Sequence, residues 1–279
     1  MSSGSRRGRR RYGNTPAGFV LVDKAPGPSS FAIVREVRDR TGARAGHAGT
    51  LDPFASGLLL VLLGAATRLV QYLVGLDKRY ETAVDLRART ATGDPEGQIV
   101  EEHEPPSRDE LEARLAALRG EVELRIPAAS AVKIGGERAY RLTRRGVAVE
   151  MPLRRSTVHS LELVGYEDGV ATLCAHVGSG TYVRAIADAL GGHCGTLRRT
   201  AVGPFRVEDA DPTRVRLAAD ALPFLAPLDV TSDAAAALRA GRAVPGEGHG
   251  LVRALAGGEL VAIARAGDGL IRPETVLAV

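Results

Sequence analysis

The longest uninterrupted apolar run in the chain is Leu58–Leu63, and the segment just before it constrains the fold most. Gly46-His47-Ala48-Gly49-Thr50-Leu51-Asp52-Pro53 is dense in turn formers, and Gly57–Leu63 behind it reads as an apolar strand. The run is far short of the ~20 residues that span a bilayer, and no apolar stretch follows the basic N-terminus as a secretory signal would require. A cytoplasmic location is therefore expected. Pro53 biases Asp52 toward an extended backbone, and the small residues around His47 let another chain approach closely. This suits a carboxylate presented at the end of a loop, although an aspartate that merely caps a turn before proline has the same spacing.

The pattern on either side of this loop predicts an α+β chain. Phe19–Val22 reads as a short buried strand, and Ser30–Thr41 as a helix capped by Ser29 or Ser30 and stopped by Gly42. Residues 65–74 are helical in pattern, whereas Tyr80–Leu86 alternates with the period of a half-buried strand. Ser107 and Glu110 form a capping box for a helix running to Arg119 and ended by Gly120. Thr157–Val164 and Val170–Val177 are β-rich runs joined by the hairpin signal Glu167-Asp168-Gly169, and Thr181–Leu190 reads as a helix stopped by Gly191. Near Asp220–Asp229 the composition turns Pro-interrupted and Ala-rich, marking a small C-terminal module. That module carries one helix, Ala234–Ala240, and the strands Leu260–Ala264 and Leu270–Arg272 around Gly267-Asp268-Gly269. About 50 residues make a marginal core alone, so the module should dock on the main body. The two cysteines, Cys174 and Cys194, fit neither a disulfide framework nor a CxxC site; at least one is expected in the core.

Charge is segregated. Arg6, Arg7, Arg9, Arg10 and Arg11 sit in a Ser/Gly/Arg stretch, residues 1–14, that reads as a disordered basic tail. Set against a formal net charge of +4, those five arginines leave the remaining chain near neutral. Between Val132 and Arg155, however, seven bases face two acids, while Asp94–Glu121 holds nine acids and three arginines. One face would attract phosphate and the other repel it, and a pair of solvated surfaces is the bland alternative.

Walker, GxGxxG, HExxH and GxSxG motifs and clustered Cys/His ligands are absent, so nucleotide hydrolysis, dinucleotide redox and zinc chemistry lack their usual signatures. The run GHAGTLDPFASGLLLVLLGAATRLVQYL, followed by Asp77-Lys78-Arg79-Tyr80, resembles the signature of the bacterial tRNA pseudouridine synthase B family. Later blocks agree in order: Ser130-Ala131-Val132-Lys133 with Gly136, Arg138-Ala139-Tyr140 and Arg144-x-Gly146, then Gly180-Thr181-Tyr182-Val183-Arg184, then Leu197-Arg198-Arg199. Two positions depart from the pattern. Ala91 stands where the Thr-x-Thr-Gly-Asp stretch often has an acid, and Thr143 where alanine is usual.

The resemblance implies an α+β pseudouridine synthase fold with a mixed, mainly antiparallel sheet over residues 15–228, and a small β-rich PUA-like RNA-binding domain over 229–279. It also implies isomerisation of the uridine at position 55 in the tRNA T loop, with no cofactor and no metal. Asp52 is the implied essential carboxylate, as nucleophile or as base on the sugar. Arg184 is the guanidinium that opposes its protonation, and Tyr80 the third member of the set. Tyr182 and Tyr80 supply aromatic faces to an extruded base. His47 is expected at the RNA, Leu197 in the pocket wall, and Lys133, Arg138, Arg144, Arg198 and Arg199 at phosphates. The T stem-loop of tRNA is the expected partner, with no membrane, no obligate protein partner, and a monomeric state. A non-catalytic RNA-binding protein would share the basic face but would not need Asp52, Tyr80 and Arg184 together. A nucleoside hydrolase or glycosidase would need a second acid in a matching site, and none stands out.

Overall fold

The computed structural model describes residues 17–130, 132–145, 147 and 150–277, without the side chains of Tyr140, Thr143 and Arg144; the basic tail expected at 1–14 lies outside them. Among the described residues, ten strands form one sheet. Its main path runs Asp211–Leu217, Gly18–Lys24, Ser56–Leu63, His193–Val202, Lys78–Asp85, Val170–Val177, Leu153–Glu167 and Gly120–Arg125. Ala45–His47 pairs with Ser56–Leu63, and Phe205–Arg206 with His193–Val202. Every pairing is antiparallel except one short parallel contact, where Arg198 and Arg199 lie beside Ser56 and Gly57. A mixed, mainly antiparallel sheet is therefore what the chain builds.

The unbroken apolarity of Leu58–Leu63 follows from its central place, since a strand covered on both faces has no polar side to alternate with. Leu59, Val61 and Leu63, with Val20 and Val22 of the neighbouring strand, face a layer containing the helices Ser30–Thr41 and Val183–Leu190. Leu58, Leu60 and Leu62, with Phe19 and Leu21, face the opposite layer, which includes Leu69, Leu73 and Phe205. Burial of side chains of this size stabilises by roughly 1.5–3 kcal/mol each, so this one strand contributes to both layers.

Local chemistry sets the element ends. Ser29 accepts from the Ala32 amide at the start of the first helix, and Gly42 closes it in the left-handed conformation. Both halves of the Ser107/Glu110 capping box are made, on a helix spanning Arg108–Ala117. Asp168 and Gly169 both adopt positive φ, the geometry that turns Leu153–Glu167 tightly into Val170–Val177. The segment after Leu63 is a 3₁₀ turn, Gly64–Leu69, running into one α-turn, Val70–Leu73. Cys174 and Cys194 are both free thiols, and Cys194 is fully buried.

The C-terminal sheet has five strands, ordered Ala226–Asp229, Gly250–Ala256, Glu259–Gly267, Leu270–Val276 and Val244–Pro245, with the helix Ser232–Arg239 packed on it. Its first strand begins at Ala226, ahead of a boundary drawn at 229. The module docks as its size requires. Leu260, Ile263 and Leu277 enter the same apolar layer as Phe19 and Leu73. Arg253 donates to the carbonyls of Ala219 and Leu225, and Thr275 bonds the side chains of Gln71 and Tyr72.

Candidate active site

Asp52 is held from both sides. The Ser30 hydroxyl donates to the Leu51 carbonyl and accepts from the Leu51 amide, each at 2.8 Å. On the other side the Pro53 carbonyl receives the Gly27 amide at 2.8 Å and the Lys24 ammonium at 3.1 Å. Lys24 is fully buried and also donates to the carbonyls of Ala25 and Pro28, both at 2.9 Å. Burial lowers its pKa, and the negative charge of Asp52 opposes that shift. Leu51 and Ala55 sink into the core while Asp52, between them in sequence, keeps its side chain 33% exposed.

Arg199 sets the third anchor. It is 1% exposed, and its guanidinium donates to the carbonyls of Leu58 at 2.8 Å, Gly49 at 3.1 Å and Thr50 at 3.4 Å. A phosphate contact was the expectation for this residue. Burial and three backbone acceptors instead make Arg199 an internal brace for the Asp52 loop. The close parallel approach explains Gly57, whose φ is +101° and where a Cβ would stand 2.2 Å from the Arg199 carbonyl oxygen.

Arg184, on the helix Val183–Leu190 that Tyr182 opens and Gly191 ends, is only 2% exposed. Its Nε donates to Asp52 Oδ2 at 2.9 Å. Nη1 donates to the Thr92 carbonyl at 2.7 Å and to Asp94 Oδ2 at 3.3 Å, and Nη2 to the Ala129 carbonyl at 2.9 Å. A buried guanidinium with four acceptors is both compensated and fixed in orientation, which a single carboxylate partner could not achieve. Asp94 is positioned by its own turn: Oδ1 accepts from the Thr92 hydroxyl at 2.6 Å and the Glu96 amide at 3.2 Å. Neither Asp94 nor Lys24 was among the residues expected at the site. Thr90-Ala91-Thr92-Gly93-Asp94 marked Asp94 as part of a family-like stretch, but no local signal marks Lys24.

Residues 37–183 match the family model described as TruB family pseudouridylate synthase (N terminal domain), more than half of the chain. The chain belongs to the TruB family. It is 35% identical to the tRNA pseudouridine synthase B of Gluconacetobacter diazotrophicus, an alignment covering 96% of this chain and all of that protein. It is 44% identical to the enzyme of the same name from Chromohalobacter salexigens, over 72% of this chain and 68% of that protein. A solved structure described as a Cbf5-Nop10-Gar1 complex superposes with a TM-score of 0.69 at 25% identity, covering 94% of this chain and 85% of that one. The TruB match and this superposition identify the pseudouridine synthase fold, and the C-terminal sheet is compatible with a PUA-like domain.

The other residues expected of a TruB-family site fall in three places. Tyr80, on Lys78–Asp85, and Tyr182 are half-buried against the apolar cluster that contains Leu51, Ala55 and Leu197. Leu197 is buried in that cluster. His47 ends the strand Ala45–His47, and burial, followed by the charge of Arg199, lowers its pKa and favours the neutral imidazole. Its Nδ1 is buried without a hydrogen-bond partner among the described residues, as are the hydroxyls of Ser130 and Thr181. Lys133 and Arg138 are exposed and face each other across a two-residue hairpin, and Arg144 ends the helix Ala139–Arg144. Arg198 is at the surface, with both Nη atoms on the Asp23 carboxylate at 2.7 and 3.0 Å. Cys194 lies near the buried guanidinium, but burial pushes its thiol up to about 12, which removes it as a nucleophile.

Proposed function

We propose that this chain converts the uridine at position 55 of the tRNA T loop to pseudouridine, with Asp52 as the essential group. The carrying observation is the Asp52–Arg184 pair: a partly exposed carboxylate, anchored through both neighbours and oriented by a buried guanidinium, in a TruB-family chain. The reaction breaks the bond from C1′ to N1, turns the uracil, and forms a bond from C1′ to C5. N1 gains a proton and C5 loses one, so atoms and electrons balance without a cofactor.

Asp52 acts on the sugar, by bonding to the anomeric carbon or by taking a sugar proton, and both routes use a carboxylate held in one orientation against the flipped nucleoside. Arg184 supplies that orientation. Tyr80 and Tyr182 offer aromatic faces to a base that has lost its stacking, with Leu197 behind them. His47 meets the RNA as a neutral donor or acceptor, and the buried hydroxyls of Ser130 and Thr181 have no protein partner among the described residues. Lys133, Arg138, Arg144 and Arg198 take phosphates, Arg198 by exchanging Asp23 for the RNA. The PUA-like domain adds RNA contacts. In this reading the protein works in the cytoplasm as a single chain without an obligate protein partner; no described helix is long and apolar enough to cross a membrane.

The test is incubation with an unmodified tRNA transcript, followed by chemical mapping of pseudouridine. A product at position 55 of the T loop is expected. No product there in any bacterial tRNA tried would contradict the proposal.

A further inference from the structure

Two histidines on neighbouring strands and an aspartate just ahead of a third strand converge on the sheet face opposite Tyr80. In the antiparallel register Tyr80 lies opposite Ala175, and Arg79 lies opposite His176. Facing residues share a side of the sheet and successive residues alternate, so His176 projects from the face opposite Tyr80. His159 reaches the same face from a register irregularity between Val158 and Ser160. The two imidazole rings stand 4.6 Å apart, and Asp77, one residue ahead of Lys78–Asp85, points its carboxylate between them. Asp77 Oδ2 is 3.2 Å from His159 Nε2 and 3.8 Å from His176 Nε2, and one ligand atom from each residue lies within 4.8 Å of the other two.

We propose that Asp77, His159 and His176 bind one divalent transition-metal ion of the imidazole-preferring class, such as zinc or cobalt. Two nitrogens and one carboxylate oxygen make a three-ligand face, with water completing the shell on the solvent side. Metal bonds of about 2.0–2.2 Å place such donor atoms roughly 3–3.5 Å apart, so modest rotation of partly exposed rings closes the set. The alternative, one imidazole bonded to the carboxylate, uses His159 and leaves His176 beyond hydrogen-bond range.

The surroundings set both ligand form and strength. Burial lowers the pKa of His176, and the charges of Arg79, His159 and Arg206 lower it further, while Asp77 opposes them; the free-base ligand is thus favoured at neutral pH. Arg79 and Arg206 also repel a cation, and neither imidazole has a hydrogen bond at Nδ1 among the described residues. Both features make this site weaker than a closed structural zinc site. A bound ion would tie the segment leading into the Tyr80 strand to the hairpin formed by Leu153–Glu167 and Val170–Val177.

The experiment uses the full chain without a polyhistidine tag, stripped with chelator and titrated with cobalt and with zinc. One equivalent of cobalt giving ligand-field absorption, and a zinc-dependent rise in Tm, are expected. His176→Gln and Asp77→Asn, made separately so that one misfolded variant does not void the test, should each weaken binding by at least ~10-fold. Pseudouridine yield should stay at the parent level in both. No saturable binding by the parent, or equal binding by the folded variants, would overturn the site.

Discussion

Arg184 Nε donates to Asp52 Oδ2 at 2.9 Å, and the two side chains sit on opposite sides of the solvent boundary, the arginine 2% exposed and the aspartate 33%. The buried partner carries the geometric burden. Because Arg184 is also held by Asp94 and by the carbonyls of Thr92 and Ala129, the carboxylate docks onto an already fixed donor through one oxygen, Oδ2.

Arg184→Lys tests that geometry. It keeps the charge, but one ammonium cannot reach two carboxylates and two carbonyls in this arrangement. The single-turnover rate of pseudouridine formation should fall by ~100-fold or more, since misplacement by about an ångström costs that much. Affinity for tRNA should stay within about threefold, because phosphate contacts position the RNA. A rate within about tenfold of the parent would show that the multiple bonds to Arg184 are dispensable.

Arg199→Met separates brace from phosphate contact. Taking the guanidinium away from the buried Leu58 carbonyl and the part-buried carbonyls of Gly49 and Thr50 should destabilise the fold by about 2 kcal/mol. The salt dependence of tRNA binding should not change. An unchanged unfolding midpoint, with a salt slope reduced by about one, would restore the phosphate role.

Arg199 also shows where the sequence stops being legible. Adjacent arginines read alike along a chain, yet in the strand His193–Val202 their side chains point to opposite faces, so Arg198 reaches solvent and Arg199 the interior. Lys24 was hidden for a related reason. A lysine ending an apolar strand reads as a surface terminus, and only the return of Pro53 beside it makes it internal. The strand His193–Val202 itself carries too mixed a pattern to declare its place between Ser56–Leu63 and Lys78–Asp85. What depends on local backbone chemistry was readable: the Ser29 cap, the Ser107/Glu110 box, the Asp168-Gly169 turn and the unbroken run at Leu58–Leu63. Asp52 and Arg184 are 132 residues apart, and only the family resemblance placed them together.

Lys78 makes stability depend on pH. Burial, reinforced by the charge of Arg199 and opposed by Asp77, lowers its pKa from 10.5 to about 8. Below pH 8 the ammonium is charged in both folded and unfolded chains, and the folded state carries the full penalty. Between about 8 and 10.5 the unfolded chain binds more protons, so stability from this residue rises with pH. Denaturant titrations of the parent and Lys78→Met should show the parent gaining relative to the variant from pH 7 to 9.5. Parallel pH profiles would contradict the assignment.

The most direct test is Asp52→Asn, read twice on one preparation as tRNA affinity and as pseudouridine yield. The amide keeps the size and hydrogen-bonding reach of the carboxylate but is a poor nucleophile and a poor base. A folded protein that binds tRNA as well as the parent or slightly better, with pseudouridine undetectable, is the expected result. A rate within about tenfold of the parent, only ~1.4 kcal/mol in the barrier, would mean that Asp52 is not the essential group.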